Sequence, residues 1–335
     1  MLEVGIVGIT GFTGLELLKL LINHKGVKVS YIASRSETGR KVSDIYPLFE
    51  GVYDNVIEPI SVDRMASLDA VFLALPHTVS ASVVKDIYDK VRIIDLSADF
   101  RLSSVDEYEK WYKVKHPAKD LLRNAVYGLV ELNRQQIKAS RIVANPGCYA
   151  TSVILALAPV ASYINDIVIV DSKSGVSGAG RAAKDGLQFC EVNENFKAYS
   201  ITGHRHIPEM EEQLRRYNND ITVEFIPHLL PLQRGILSTI YASLKERANV
   251  EELYKDFYKN DFFVRVVDEP PTLNNVRGTN FCDIYPYYDE RVGKLVVISV
   301  IDNLIKGASG QAIQNLNVIF NFDEKEGLMP YPYYP

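Results

Sequence analysis

The run Leu2-Glu3-Val4-Gly5-Ile6-Val7-Gly8-Ile9-Thr10-Gly11-Phe12-Thr13-Gly14, continued by Leu15, Leu17, Leu18, Leu21 and Ile22, decides how the chain begins. Residues 2–7 form a short apolar run of the kind that suits a strand buried on both faces. The leucines that follow recur at helical spacing, and Thr13 is the expected N-cap. Between strand and helix lies Gly8-x-x-Gly11-x-x-Gly14. Glycines there let the backbone turn tightly and let a pyrophosphate approach amide N–H groups at a helix N-terminus. A glycine-rich turn with no ligand would share this spacing. Its place after the first strand and before an amphipathic helix favours a dinucleotide.

Working outward, the second strand spans residues 27–33 and ends at Ser34-Arg35-Ser36. An acidic residue there would hold a ribose 2′-hydroxyl, whereas a 2′-phosphate asks for a guanidinium and hydroxyls. Arg35 between two serines predicts NADP(H). Strand and helix signals then alternate: strands at 69–75, 91–96 and 142–144, with a helix at 79–89. Such alternation implies a parallel sheet with crossover helices. Past residue 148 the rhythm changes. A helix is expected from Cys148 to about residue 161, followed by longer alternating strands at 167–172, 221–226, 237–244, 262–267 and 295–301. These fit a mostly antiparallel sheet with one face covered by helices. A last helix at 307–320 fits a return to the first domain. The expected organisation is an α/β protein: a discontinuous Rossmann dinucleotide-binding domain at 1–147 and 304–335, and an α+β catalytic domain at 148–303. The Pro/Tyr-rich tail, 329–335, is expected to lie extended on the surface.

Composition agrees with a globular chain long enough for two domains. Of its 335 residues 47% are apolar and 24% charged. The net charge of -5 argues against a general electrostatic grip on nucleic acid or anionic lipid. No stretch reaches the roughly 18 apolar residues of a membrane span. The best candidate, 150–164, is broken by Thr151, Ser152, Pro159 and Ser162. The first residues carry no basic n-region. Cys148, Cys190 and Cys282 lie far apart and pair in no Cys-x-x-Cys, which speaks against a disulfide framework or a cysteine zinc site. A cytoplasmic protein with reduced thiols is the expectation.

The segment Asn145-Pro146-Gly147-Cys148-Tyr149 carries the chemistry. A strand, a Pro-Gly turn and a helix place Cys148 at or near a helix N-terminus, where the dipole favours a thiolate. Cys190 and Cys282 lack that context and read as buried small hydrophobes. A nucleophilic thiol works with a base, and His204-Arg205-His206-Ile207-Pro208-Glu209 offers two imidazoles just before an amphipathic helix, with Pro208 suited to its N1 position. His206 is the favoured acid/base and His204 the alternative. Without a further carboxylate or cysteine ligand the pair makes a poor metal site, so no metal is expected. His24 reads as following a surface helix, His77 and His116 as loop residues, and His228 as following a strand. Two more glycine segments invite a role. Ser174-Gly175-Val176-Ser177-Gly178-Ala179-Gly180-Arg181 is placed to wrap a nicotinamide or the thiol, and Gly307 to Asn317 opens the last helix with small residues. Arg101, closing Ser97-Ala98-Asp99-Phe100-Arg101, is a candidate clamp for an anionic substrate group.

Six segments in order resemble the N-acetyl-gamma-glutamyl-phosphate reductase family: Gly8 to Gly14, Ser97 to Arg101, Asn145 to Tyr149, Ser174 to Arg181, His204 to Glu209 and Gly307 to Gln314. The resemblance runs from residue 2 to about residue 321. It implies an NADP-binding Rossmann domain, and a catalytic domain like that of glyceraldehyde-3-phosphate and aspartate-semialdehyde dehydrogenases, in a homodimer or homotetramer. It implies Cys148 as nucleophile and His206 as base. Gly8, Thr10, Gly11, Phe12, Thr13, Ser34, Arg35, Ser36, Ser177, Gly178 and Asn317 would face NADP. Arg101, Asn145, Arg181 and His204 would face a small acyl-phosphate substrate. The implied reaction turns N-acetyl-L-glutamyl 5-phosphate into the 5-semialdehyde through a thioester. Rival readings are a reductase of carrier-protein-linked aminoadipyl phosphate, which shares these motifs, and an aspartate-semialdehyde dehydrogenase, which the His-Arg-His segment does not resemble. A non-catalytic NADP sensor would need neither the thiol nor the histidines. A cysteine hydrolase would not need the glycine loop.

Overall fold

The computed structural model describes residues 1–201 and 203–329, and for residue 166 the backbone alone; residues 330–335 of the expected surface tail lie outside the described residues. The chain divides into two units, Met1–Pro146 with Ala308–Met329, and Gly147–Gly307.

In the first unit six strands form one sheet: β1 (Leu2–Val7), β2 (Val27–Ala33), β3 (Ala70–Leu73), β4 (Arg92–Asp95), β5 (Ala125–Tyr127) and β6 (Ile142–Ala144). Their order is β2-β1-β3-β4-β6-β5, and every pair is parallel. Val4, Ile6 and Val7 are fully buried, as a strand covered on both faces requires. From β1 the chain goes to β2 on one side and later to β3 on the other. The Gly8 turn therefore stands at the switch point where open α/β sheets bind ligands. The first helix, Phe12–Leu21, begins two residues earlier than expected: Gly11, not Thr13, is its N-cap, and no side chain caps it. Its opening amides are thereby left to another acceptor. The Gly310–Ile319 helix packs in this same unit against the Val130–Ala139 helix, and a π-helical turn at Ile305–Ser309 precedes it.

The second unit holds seven strands: β7 (Ile164–Gly175), β8 (Lys197–Ala198), β9 (Thr222–Leu230), β10 (Ile236–Leu244), β11 (Val264–Val266), β12 (Cys282–Asp289) and β13 (Lys294–Ile301), in the order β11-β12-β13-β10-β7-β9-β8. The sheet is mixed: four of its six strand pairs run antiparallel and two run parallel. The β7–β9 and β11–β12 pairs run parallel. The chain between β7 and β9 is a long crossover carrying the Ile207–Leu214 helix, so β9 re-enters in the direction of β7. β12 was not expected, because Pro286 interrupts its run. β11 pairs only with Cys282–Ile284, so Pro286 sits where β12 has become an edge, and the N–H it lacks is not needed on that side.

The helix Cys148–Leu157 packs on β10 and β13 of this sheet. Its Ser152 Oγ is 3.0 Å from both Ser238 Oγ on β10 and Ser299 Oγ on β13, and Ser172 on β7 joins at 2.7 Å from Ser238. All four serines are fully buried. A buried hydroxyl ladder of this kind stabilises only when every member is partnered, and here it fixes the register of the helix on the strands.

Candidate active site

In the first unit the glycine turn is shaped by what it excludes. Gly8 has φ +98°, and a Cβ there would lie 2.2 Å from the Ala74 carbonyl oxygen; one at Gly14 would lie 2.4 Å from the Gly8 oxygen. The Tyr46 hydroxyl donates to the Thr10 carbonyl at 2.6 Å, the Ser309 hydroxyl donates to the Thr13 carbonyl at 2.9 Å, and Thr10 Oγ1 is 3.2 Å from Ser34 Oγ. Ser34 Oγ in turn accepts from the Ser36 amide. The glycine turn and the end of β2 thus form one hydroxyl-lined surface beside the uncapped opening turn that carries Phe12. Arg35 is exposed at a pocket of about 450 Å³, whose walls include Ser34, Pro59, Ile60, Val62 and Val83. A guanidinium and hydroxyls beside apolar walls suit a phosphorylated nucleoside.

The Ser97–Arg101 segment is a brace. Asp99 is fully buried and accepts from the Thr78 and Ala81 amides at 2.8 Å and from the Tyr108 hydroxyl at 2.7 Å. Burial pushes the Asp95 carboxyl up to about 6, against the hydroxyl bonds from Ser80 and Ser97. Arg101 donates through Nε to the Asn145 carbonyl at 2.8 Å and through Nη2 to the Leu96 carbonyl at 3.0 Å. The Asn145 amide donates to the Ala308 carbonyl. Two carboxamides of the last helix donate to one carbonyl, Gly128, from Gln311 Nε2 and Asn315 Nδ2. Gln311 Oε1 and Asn315 Oδ1 are buried with no hydrogen-bond partner.

Asn317 belongs to the last helix. It is fully buried, its Oδ1 is 2.9 Å from His24 Nε2, and its Nδ2 donates to the Glu324 and Glu326 carbonyls. These three internal partners pin the chain end to the helix. For the same reason His24 is buried, not a surface residue.

In the second unit Gly147 is the N-cap of the helix and Cys148 its first residue, partly exposed and lining a cavity of about 840 Å³. The Glu209 carboxylate, 1% exposed, accepts from the Gly147 amide at 2.7 Å. Glu209 is the third residue of the Ile207–Leu214 helix, whose N-cap is His206; Pro208 is its second residue, not its first. A glutamate at that position normally turns back on its own cap. Here it reaches instead to the cysteine turn and ties the two helix starts together.

The structure brings His204, His206 and Cys148 to the walls of one cavity. The two imidazoles stand 4.8 Å apart, and both meet the Tyr149 ring edge-on, at 5.5 Å and 6.0 Å. His204 Nδ1 accepts the His206 backbone N–H at 3.2 Å. Burial, then the neighbouring His206, lowers the His204 pKa to about 3, so this ring is neutral at working pH. Tyr149 and Tyr199 place their hydroxyls 3.1 Å apart, and burial raises both, Tyr199 to about 12; neither phenol is a base.

Ser177 accepts from Asn303 Nδ2 at 2.9 Å, and Gly178 lines the cavity. Arg181 is exposed and does not line it, whereas Lys184, Lys197 and Arg205 do. His228 lies within β9 and pairs with Asp171 at 2.9 Å, apart from the thiol cavity. Cys282 is buried as expected, but Cys190 is exposed on the short helix Phe189–Val192. Among the described residues no group of three or more His, Cys, Asp or Glu stands ready for a metal, and no helix is long and apolar enough to cross a membrane.

A parallel nucleotide-type sheet followed by a unit with a cysteine at a helix start defines a class. The model of the semialdehyde dehydrogenase NAD binding domain matches residues 3–140, and that of the semialdehyde dehydrogenase dimerisation domain matches residues 148–303. Solved aspartate semialdehyde dehydrogenases share the fold. That from Vibrio cholerae superposes with a TM-score of 0.72 at 17% identity over 96% of this chain and 98% of that one. The Candida albicans enzyme, solved with NADP, gives 0.70 at 16% over 96% and 98%. Curated relatives narrow the class. An N-acetyl-gamma-glutamyl-phosphate reductase of Methanococcus maripaludis is 48% identical, covering 93% of this chain and 94% of its own, and one of Campylobacter jejuni is 47% identical, covering 98% of each. The chain belongs to the N-acetyl-gamma-glutamyl-phosphate reductase family.

Proposed function

We propose that this chain reduces N-acetyl-L-glutamyl 5-phosphate to N-acetyl-L-glutamate 5-semialdehyde and phosphate, with NADPH as reductant and Cys148 as nucleophile. The observation that carries the reading is Cys148 at the first position of a helix, in one cavity with two imidazoles of which one is held neutral. The first unit serves as the NADP-binding domain. Its glycine turn admits a pyrophosphate where a Cβ would collide, Arg35 with Ser34 and Ser36 receives the 2′-phosphate, and the unpartnered oxygens of Gln311 and Asn315 suit the amide of a nicotinamide. When bound, NADPH supplies the hydride.

The Cys148 sulfur attacks the acyl carbonyl; the carbon–sulfur bond forms, the carbon–oxygen bond to phosphate breaks, and a thioester remains. After reduction, the thiohemiacetal loses its carbon–sulfur bond, its hydroxyl proton passes to the His206 imidazole, and the aldehyde departs. His204 stays neutral and positions the turn that carries His206. Arg101, tied to two carbonyls, orients the end of its segment toward an anionic substrate group. The active assembly is a homodimer or homotetramer of the 37.7 kDa chain, built through the second unit, in the cytoplasm where three thiols outside any disulfide stay reduced.

Mixing the protein with the acyl phosphate in the absence of NADPH is expected to release one phosphate per active chain and to leave an N-acetylglutamyl mass on the peptide containing Cys148. Phosphate release without that adduct would remove the covalent route. For the cofactor, Arg35→Asp is expected to lower kcat/KM with NADPH at least about 30-fold while NADH falls less than about 3-fold, as loss of a charge-assisted phosphate contact implies. Equal losses with the two cofactors would refute the role of Arg35.

A further inference from the structure

We propose that Lys184 and Lys197 are the specificity-determining anchor for the α-carboxylate of the substrate, an inference that rests on the thiol cavity being the catalytic site. The chain as a whole carries a net charge of -5, yet the described lining of this cavity includes Lys184, Lys197 and Arg205 and not one carboxylate. Cations gathered in a concave site whose described lining holds no carboxylate focus a positive potential on whatever enters it. Among the described residues both lysines bond to backbone carbonyls: Lys184 Nζ donates to Ala179 at 3.2 Å, and Lys197 Nζ to Gly186 at 3.3 Å. Each ammonium is thereby positioned by a neutral acceptor and keeps further donors for an anion.

The substrate brings two anionic groups, and the cavity offers separate cations for them. Arg205 lies between His204 and His206, the run packed on Tyr149 beside the nucleophile, where phosphate must leave. Lys197 precedes by two residues Tyr199, whose hydroxyl meets that of Tyr149. Cys148, Lys197 and Lys184 line one cavity, so a glutamyl group held at Cys148 by its acyl carbon has both ammonium groups within the same enclosure to receive its α-carboxylate.

Lys184→Met, Lys197→Met and the double variant test this. In the phosphorylating oxidation of the semialdehyde, KM for N-acetylglutamate semialdehyde is expected to rise about tenfold per lysine, with kcat within about threefold and KM for phosphate unchanged, the pattern of lost uniform binding. Alkylation of Cys148 supplies a readout without turnover. The native protein should react faster with anionic iodoacetate, relative to neutral iodoacetamide, than the double variant does, and added salt should erase the difference. Calorimetric binding of N-acetyl-L-glutamate should weaken about tenfold per lysine. Unchanged KM, reagent ratio and affinity would overturn the proposal, and so would a rise in KM for phosphate in place of the semialdehyde. Failure of the thiol reading looks different: native protein then shows neither turnover nor alkylation at Cys148, while the calorimetric arm still decides the role of the lysines.

Discussion

Cys148→Ser is expected to lower kcat for acyl-phosphate reduction by at least about 10³-fold while leaving the dissociation constant for NADPH within about twofold. The size follows from what sulfur supplies. A thiol is readily ionised beside the first amides of a helix, whereas a hydroxyl at the same place stays protonated and is a far weaker nucleophile without a dedicated base. The product of attack changes as well, since an oxygen ester accepts hydride less readily than a thioester. NADPH affinity is unaffected because the glycine turn, Ser34 and Arg35 belong to the other unit. Cys190→Ser and Cys282→Ala are the controls, one altering an exposed residue and the other a buried core thiol; both should keep kcat close to that of the parent. Turnover of Cys148→Ser within tenfold of the parent would mean that the Cys148 sulfur is not the nucleophile on which reduction depends.

Legibility in the sequence followed the physics of each feature. The Gly8 turn could be read because both its strand and its helix announce themselves by periodicity, and because steric exclusion leaves glycine no substitute at Gly8 and Gly14. Cys148 could be read because Pro-Gly between a strand and an apolar helix fixes where the cysteine falls. Thr13 misled as a cap: a helix start made for an anion leaves its amides without a side-chain cap, which is the reverse of the usual signal. β12 was hidden by Pro286, since a single sequence does not show that β11 is too short to reach that point. Glu209 sits at an ordinary capping-box position, and only the tertiary packing of two helix starts turns it toward Gly147. Lys184 and Lys197 are lysines in a polar stretch, with no periodicity to mark them; what sets them apart is a cavity lining without carboxylates. The internal partners of Asn317 were not legible, because a motif resemblance carries no information about which face of a helix a carboxamide occupies.

Gly307→Ala is expected to lower kcat about 10²-fold and to lose about 1–3 kcal/mol of stability. A Cβ at Gly307 would stand 2.6 Å from Cys148 Cβ and 3.1 Å from its Cα, where carbon atoms pack at about 3.5–4.0 Å. Neither neighbour is the free end of a flexible side chain. Cys148 is the first residue of a helix whose Ser152 is locked into the buried serine ladder, and Gly307 lies in the π-helical turn whose amide bonds to the Asp302 carbonyl. The methyl must therefore displace the nucleophile or its turn by a fraction of an ångström to an ångström, enough to spoil attack on a fixed carbonyl. The cost is assigned to that contact by a double-mutant cycle on stability. In a Cys148→Gly background the same alanine meets no Cβ, so most of its penalty in the thermal midpoint should vanish. An equal penalty in both backgrounds would place the strain elsewhere. Parent-like kcat and midpoint in Gly307→Ala would show that the turn yields, and that close approach to the nucleophile is not what this glycine is for.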